Sequence, residues 1–203
     1  MSDEKKGKLI ALEGPDGCGK STQKTLLAEW LKSEGYSVKT TAEPTDNQIG
    51  QIIRHALNGN LDISLETEAL LFASDRAQHV YDFIQPNLEK GNIVITGRYI
   101  YSSLAYQTSR GLSKKWVECI NRPAIEPDIT IFIDIPPEVG KKRTNSTNKP
   151  DEFEKDVELQ KKVRRTYIEL AKEKGSPVID GTKSKERVHE EIVEKIKRIL
   201  QSE

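Results

Sequence analysis

The chain has 203 residues, a length that suits one α/β domain around a single hydrophobic core, so we expect residues 1–203 to form one domain. Its 32 basic and 32 acidic residues leave no net charge, which argues against a general attraction to nucleic acid or to an anionic membrane. No apolar run approaches the length of a membrane span, and residues 1–8 lack the apolar core of a secretory signal.

The first predicted elements surround a glycine-rich loop. Residues 8–12 form a short apolar strand, residues 14–21 carry the sequence GPDGCGKS, and a helix follows over residues 22–34. This is the pattern G-x-x-x-x-G-K-[ST] in its strand-loop-helix context. Glycines let successive backbone N–H groups point at one anion, and the helix N-terminus adds its positive dipole end. The loop therefore predicts binding of a nucleoside triphosphate.

Two side chains of this loop have predicted roles in phosphate chemistry. Lys20 supplies a mobile charge to the outer phosphates, and Ser21 offers a hydroxyl to a magnesium ion that also binds the nucleotide. A disulfide at Cys18 would obstruct such a site, so we expect a reduced, cytoplasmic setting. The residues expected to contact ATP are Gly14, Asp16, Gly17, Cys18, Gly19, Lys20, Ser21 and Thr22.

The second strand, residues 36–41, leads to a turn at Glu43 and Pro44, because proline cannot continue the ladder. Loops at the carboxyl ends of strands are where open α/β sheets bind ligands. A short helix with Ile49, Ile52, Ile53 and Ala56 on its inner face follows, and it carries Arg54 on another side.

A long helix begins after Ser64, its predicted N-cap, and we expect it to end before Pro86. Phe72 and Arg76 are four residues apart in this helix and therefore share a face. Periodicity alone favours an ordinary core position for Phe72 and a surface ion pair, with Asp75 or Asp82, for Arg76.

Three further strands are predicted over residues 92–96, 128–135 and 177–180. The third strand of the chain leads into Arg98, which shares a helix face with Ser102 and Tyr106 if the helix begins early. Five strands that alternate with helices predict a P-loop NTPase fold, with a five-stranded parallel sheet and helices on both faces.

Residues 140–153 form a predicted short lid. The segment from Lys141 to Lys149 is basic and then polar, and it contains no apolar residue, so it cannot be a core element. One interpretation is a solvated loop. The other is a lid that closes its cations over transferring phosphates.

These segments together resemble the thymidylate kinase family. LEGPDGCGKSTQ is similar to that family's phosphate loop, AEPT to its second loop, and ALLFASDRAQH to its nucleotide-stacking helix. GRYIYSSLAYQ resembles its arginine-tyrosine segment, and FIDIPPEVGKKR followed by DEFE resembles the strand that leads to its lid. The resemblance covers nearly the whole chain, and five motifs in the same order make it specific.

The resemblance implies phosphoryl transfer from ATP to dTMP, with magnesium as cofactor and a homodimer as assembly. Phe72 is implied to stack on the thymine ring, Arg76 to bond a base carbonyl, and Asp16 to receive the sugar 3′-hydroxyl. Tyr106 is implied to exclude a 2′-hydroxyl, and Arg54 and Arg98 are implied to hold the monophosphate. The implied acceptor site is Asp16, Glu43, Arg54, Phe72, Arg76, Arg98, Ser102, Ser103, Tyr106 and Gln107, and the implied catalytic cations are Lys20, Arg98, Arg143 and Lys149.

The chain departs from the family pattern at three positions. Gly97 stands where the family has an aspartate near magnesium, so Glu13 or Asp134 is left as a possible substitute. Ala42 and Lys149 each replace an arginine. Two other functions stay open at this point: a related P-loop kinase for another nucleotide or nucleoside, and a nucleotide-binding relative without catalysis.

Overall fold

The computed structural model describes residues 7–144 and 156–200. These residues form a five-stranded, all-parallel sheet with helices around it. The spatial order is β2-β3-β1-β4-β5. This confirms the predicted α/β class with a parallel sheet. The strands are β1 (Lys8–Glu13), β2 (Val38–Ala42), β3 (Ile93–Gly97), β4 (Ile129–Asp134) and β5 (Val178–Asp180).

Helices cover both faces of the sheet, because successive side chains of each strand point to opposite sides. On one face Ile10 and Leu12 of β1 pack with apolar residues of α1 and α9, and on the other face Leu9 packs with Val80 and Ile84. The helices are α1 (Lys20–Ser33), α2 (Gln48–Leu57), α3 (Leu65–His79), α4 (Gln85–Glu89), α5 (Ile100–Ser109), α6 (Lys114–Ile120), α7 (Pro137–Thr144), α8 (Val157–Lys174) and α9 (Lys185–Leu200).

The inward face predicted for the second helix is only partly correct. Ile53 of α2 is buried, as expected, whereas the side chain of Ile52 is 43 % exposed. Ile52 therefore lies on the outer side of α2, one residue away from the buried stripe.

The helix after Ser64 runs past the expected stop at Pro86. Ser64 caps it as predicted, since its hydroxyl accepts the backbone N–H of Thr67 at 3.2 Å. A π-helical turn, Val80–Ile84, joins α3 to α4, and Pro86 lies in the first turn of α4. Proline in an α-helix clashes with the carbonyl four residues before it, whereas a π turn is wider there. The expected boundary was therefore wrong.

Strand pairing aligns the ends of the central strands. Leu12 lies opposite Gly97, Ala42 also lies opposite Gly97, and Glu13 lies opposite Phe132. The loops that leave β1, β2 and β3 therefore meet at one edge of the sheet, where open α/β sheets bind their ligands.

Only part of the predicted lid falls within the described residues. Residues 140–144, with Arg143, belong to α7, whereas residues 145–153, with Lys149, lie outside the described ranges. Among the helices of residues 7–144 and 156–200, none combines the length and apolar character that crossing a membrane requires.

Candidate active site

The phosphate loop presents the open N-terminus of α1 to a cavity. The N-cap of α1 is Gly19, which adopts a left-handed φ of 97° and provides no side-chain cap. The first turn of α1 also carries no acidic residue. Its positive end is therefore available to an anion. The residues that line this first cavity include Asp16, Gly17, Cys18, Gly19, Lys20, Ser21, Thr22, Arg98, Arg143, Lys183 and Lys185.

The ammonium group of Lys20 lies back over the loop. Its Nζ donates to the carbonyl oxygens of Gly14 and Pro15, each at 2.8 Å, and lies 3.5 Å from the Cys18 Sγ. All of the predicted ATP contacts except Gly14 line the first cavity, and Gly14 instead accepts a hydrogen bond from the Lys20 ammonium through its carbonyl oxygen.

The tip of the loop packs directly against α7. A Cβ at Gly17 would lie 2.6 Å from the carbonyl oxygen of Gly140, and Gly17 has a φ of 73°. Arg143, one turn further along α7, donates to the carbonyl oxygen of Gly181 at 3.0 Å and to that of Gly17 at 3.4 Å. This packing brings the predicted lid cation Arg143 to the first cavity.

A second cavity adjoins the first and shares Asp16 and Arg98 with it. All of the predicted acceptor residues line it except Arg54. The lining residues are Asp16, Glu43, Pro44, Leu57, Glu68, Phe72, Arg76, Arg98, Ser102, Ser103, Tyr106 and Gln107. The structure therefore brings together, from four separate segments, the residues that the resemblance grouped by function.

The two shared residues form an ion pair at the junction of the cavities. Arg98 Nη2 contacts Asp16, the Tyr106 hydroxyl donates to Asp16 Oδ2 at 2.6 Å, and the Arg98 guanidinium lies 5.2 Å from the centre of the Tyr106 ring. Burial opposes ionisation of Asp16, but the charges of Arg98 and Lys20 outweigh it and lower the pKa of Asp16. Asp16 therefore stays ionised beside the guanidinium.

Arg76 is buried and hydrogen-bonded to several segments of the chain, whereas periodicity favoured a surface position for it. Its side chain is 2 % exposed, and its Nη2 lies 2.6 Å from Glu43 Oε2. Nη1 donates to the Ser103 hydroxyl at 3.0 Å and contacts Asn121, and Nη2 donates to the Tyr99 carbonyl at 2.9 Å. All three guanidinium nitrogens thus have protein partners, and base recognition by Arg76 stays a prediction.

Glu43 extends this network away from the cavity. Its Oε1 lies 3.0 Å from His79 Nδ1, and His79 Nε2 lies 2.7 Å from the Thr41 hydroxyl. The chain of contacts fixes the Glu43 carboxylate from both sides. Burying such charges is tolerated only when they are paired and hydrogen-bonded, as they are here.

Gln107 is the polar group in the second cavity that the surrounding protein leaves unused. Its side chain is 1 % exposed, and within the described ranges neither its Nε2 nor its Oε1 has a hydrogen-bond partner. Unpaired buried amides are costly. A ligand that offers both an acceptor and a donor would satisfy this one.

Arg54 is held elsewhere. Its Nη2 donates to the Pro44 carbonyl at 2.7 Å and to Asp46 at 2.9 Å, and its Nη1 donates to the Thr45 carbonyl. These bonds tie Arg54 to the loop after β2, outside the second cavity. Binding of the monophosphate by Arg54 stays a prediction.

Several residues of the second cavity were missed in the sequence. Glu68 lies four residues before Phe72, on the face that also carries Arg76, so helical spacing could have identified it. Leu57 is the last residue of α2, and no local pattern marks it. Asn121, which directly follows α6 and contacts Arg76, is likewise unmarked. Their roles follow only from tertiary packing.

The donors available to magnesium are few. Ser21 lines the first cavity, where its hydroxyl would fit as a protein ligand of magnesium together with the phosphate oxygens of a nucleotide. Glu13 accepts two backbone N–H groups and the Ser102 hydroxyl, and Asp134 is bound by Arg164 through two contacts of 2.7 Å. Substitution by either carboxylate for an aspartate at Gly97 stays a prediction. Residues 7–144 and 156–200 contain no group of three or more His, Cys, Asp or Glu placed to hold a metal.

Comparison with known proteins agrees with this geometry. A sequence model described as "Thymidylate kinase" matches residues 12–192. The chain belongs to the thymidylate kinase family. It is 47 % identical to a "Probable thymidylate kinase" of Pyrococcus abyssi, over 96 % of this chain and 98 % of that protein. It is 42 % identical to a "Thymidylate kinase" of Thermoanaerobacter pseudethanolicus, over 96 % of this chain and all of that protein.

Membership in the thymidylate kinase family makes Gly97 notable, because an aspartate was expected there. A Cβ at Gly97 would meet only ordinary contacts, the nearest being Ala42 Cβ at 3.7 Å and Lys24 Nζ at 3.8 Å. The site therefore has room for a Cβ, which would lie beside the Lys24 ammonium. A clash at the Cβ does not account for glycine at this position.

We predict that Gly17→Ala lowers stability by roughly 1–3 kcal/mol more than Gly175→Ala, because only the first places a methyl group against backbone. Gly175 is a matched control, since it also has a left-handed φ, 64°, but a Cβ added there would have no atom within 4 Å. Urea unfolding of both variants measures the difference. Equal losses would contradict the packing of the loop against α7.

Proposed function

We propose that this chain transfers the terminal phosphoryl group of ATP to dTMP, giving dTDP and ADP for dTTP synthesis. The observation that carries the proposal is the pair of adjoining cavities that share Asp16 and Arg98. One contains the phosphate loop, and the other contains the aromatic and amide groups suited to a nucleoside. A phosphoryl group that passes between two nucleotides must cross this junction.

The required chemistry is charge neutralisation and alignment. A phosphate oxygen of the acceptor is already anionic at neutral pH, so it needs no strong general base. Two anions must instead be held together against their repulsion. Lys20, Arg98 and Arg143 supply positive charge at the first cavity, together with the loop N–H groups. Arg98 also lines the second cavity, and it is proposed to bind the acceptor phosphate. Lys149 is proposed as a further cation of the lid.

Magnesium is proposed as the cofactor, with Ser21 as its protein ligand. When bound with ATP, the ion supplies charge neutralisation at the phosphates. Ser21 follows Lys20 directly at the start of α1, so its hydroxyl and the Lys20 ammonium serve the same cavity.

The base end of the second cavity suits an uncharged pyrimidine imide. Phe72 offers a ring for stacking, and the unpaired Gln107 amide offers one donor and one acceptor. A thymine ring edge carries a carbonyl and an N–H, which match that amide. Tyr106, held by Asp16, is proposed to close the sugar side against a 2′-hydroxyl.

A nucleoside acceptor is disfavoured by the state of the carboxylates. Such an acceptor needs a carboxylate base aimed at its hydroxyl. Asp16 is paired with Arg98, Glu43 with Arg76 and Glu68 with Arg110, so these three carboxylates of the second cavity are poor bases. A catalytically silent relative is disfavoured because Lys20, Ser21 and Arg143 line one cavity.

We predict that purified protein with ATP and magnesium phosphorylates dTMP in preference to dCMP, dAMP and thymidine. Lys20→Met should lower turnover roughly 100-fold or more, because it removes the charge from the phosphate loop. Chelation of divalent ions should also abolish turnover. Chromatographic separation of the nucleotides, which needs no coupling enzyme, measures all three. Higher turnover of dCMP, dAMP or thymidine than of dTMP would contradict the assignment.

We predict that Gln107→Leu raises the KM for dTMP roughly 10-fold or more and leaves the KM for ATP unchanged, because a base edge would lose its partner. Gln85→Leu is the matched control, since Gln85 is exposed on α4. Initial-rate kinetics with each substrate varied in turn measure both constants. An unchanged KM for dTMP would show that Gln107 does not contact the base.

A homodimer is proposed for the assembly. Ile52 on α2 and Leu70 on α3 are 43 % and 46 % exposed, and these two helices pack against each other. Exposed apolar side chains on neighbouring helices suit a face shared with a second copy.

We predict that Leu70→Arg converts a two-chain assembly into single chains, since it buries charge in that face. Ile168→Arg, which changes a similarly exposed residue of α8, should leave the assembly intact. Light scattering after size exclusion measures the mass. A wild-type protein of one chain, or a dimeric Leu70→Arg variant, would contradict the proposed face.

The proposed cytoplasmic location is supported by the state of the cysteines. Cys18 and Cys119 are both free thiols, and Cys18 is buried within the phosphate loop. Reduced cysteines are typical of cytoplasmic proteins.

A further inference from the structure

Glu13 is a buried carboxylate immediately before the phosphate loop. It is the last residue of β1, and it is 0 % exposed. Burial raises the pKa of Glu13, although hydrogen bonds from Ser102 oppose that shift. A carboxyl group in this position is costly unless donors surround it, so its partners indicate why it is there.

Three close donors bind the two oxygens of Glu13. Oε1 accepts the backbone N–H groups of Tyr99, at 2.8 Å, and of Ser102, at 3.1 Å. Oε2 accepts the Ser102 hydroxyl at 2.6 Å. The Tyr167 hydroxyl lies 2.9 Å from the Ser102 Oγ and 3.4 Å from Oε2, so it supports Glu13 mainly through Ser102.

The two backbone donors belong to the start of α5. Tyr99 is the N-cap of that helix and Ser102 its third residue, and the Tyr99 side chain makes no capping bond. The Tyr99 N–H lies before the first helical residue, so the helix offers it no partner. The Ser102 N–H is shared between Glu13 Oε1 and the Tyr99 carbonyl oxygen, each at 3.1 Å. Glu13 therefore caps α5 from a different element, 86 residues away from Tyr99.

The residue before this cap is Arg98, whose backbone is strained. Arg98 has a φ of 64°, a conformation that residues with a Cβ adopt rarely. Such a backbone persists only when the surroundings hold it. Its own N–H donates to the Leu12 carbonyl at 3.0 Å, and the next N–H, of Tyr99, donates to Glu13. Two successive residues of β1 thus pin the backbone on both sides of the strained position.

We propose that Glu13 is a positioning residue, which holds Arg98 in the conformation that presents its guanidinium to the phosphate loop and to an acceptor phosphate. This inference rests on the proposed function, in which Arg98 binds that phosphate. Because Glu13 directly precedes Gly14, one residue couples the donor loop to the acceptor arginine.

The test separates the phosphate of the acceptor from its nucleoside. Calorimetric titration of the full chain with dTMP and with thymidine gives a ratio of dissociation constants, the phosphate preference. Arg98→Ala should lower this preference by removing the guanidinium. Glu13→Met, which fills the space but accepts no hydrogen bond, should lower it roughly 10-fold or more. Thymidine affinity should stay within about 2-fold, whereas a general loss of structure would weaken both ligands.

Two further variants distinguish hydrogen bonding from charge and guard against a misfolded Glu13→Met. Glu13→Gln keeps an acceptor for the two N–H groups, so its preference should stay within about 3-fold of wild type. Glu13→Asp keeps the charge but withdraws the acceptor by one methylene, so its preference should fall roughly 3-fold or more. In a protein that already carries Arg98→Ala, each Glu13 substitution should change the phosphate preference by less than about 2-fold.

The possible failures are distinguishable. If Arg98→Ala leaves the phosphate preference unchanged, the role of Arg98 in the proposed function is wrong. If Arg98→Ala lowers the preference but Glu13→Met and Glu13→Asp do not, or if they weaken thymidine equally, only the positioning role is overturned. The positioning role would also be overturned if Glu13→Gln lowered the phosphate preference as much as Glu13→Met, because a hydrogen-bond acceptor at position 13 would then not be sufficient to hold Arg98.

Discussion

Parallel pairing of the central strands is the constraint on which the site depends. Because Leu12 and Ala42 both lie opposite Gly97, three chain segments leave the sheet at the same level. The phosphate loop, the Glu43 turn and the Arg98 turn are therefore neighbours before any of their side chains interact. Backbone hydrogen bonds therefore place the three segments, and side-chain contacts adjust their positions. Such an arrangement suits a reaction that depends on alignment of the reactants more than on acid-base groups.

The acceptor side is organised around a buried guanidinium rather than an apolar core. Arg76 joins α3 to the Glu43 turn, to Ser103 on α5 and to Asn121 beyond α6. Buried ion pairs contribute little net stability but strongly penalise loss of one partner. The network thus fixes the cavity wall in one arrangement. It also explains why Gln107, and not Arg76, is the polar side chain left free for a ligand.

Local motifs predicted much of this structure, and long-range contacts account for what they missed. The phosphate loop and the Phe72 and Arg76 spacing are each contained in one short segment, so the sequence reveals them directly. The partners of Arg76 come from segments far away in the sequence, so no local spacing indicates them. The hydrogen bonds that hold Arg54 outside the second cavity are made to the turn after β2, whose conformation the sequence pattern does not predict. The π turn before Pro86 was missed because propensity describes α-helix and not its wider variant.

The Asp16 and Arg98 ion pair also bears on what kind of ligand the site accepts. The two side chains neutralise each other at the junction of the cavities. An anion that drew Arg98 away would leave Asp16 as a partly buried carboxylate with the Tyr106 hydroxyl as its remaining described hydrogen-bond partner. An anion without a hydrogen-bond donor, such as sulfate, brings no compensation for that loss. A phosphate attached to a sugar brings the hydroxyl donors of the sugar, so we expect the ion pair to favour whole nucleotides over anions that carry no donor.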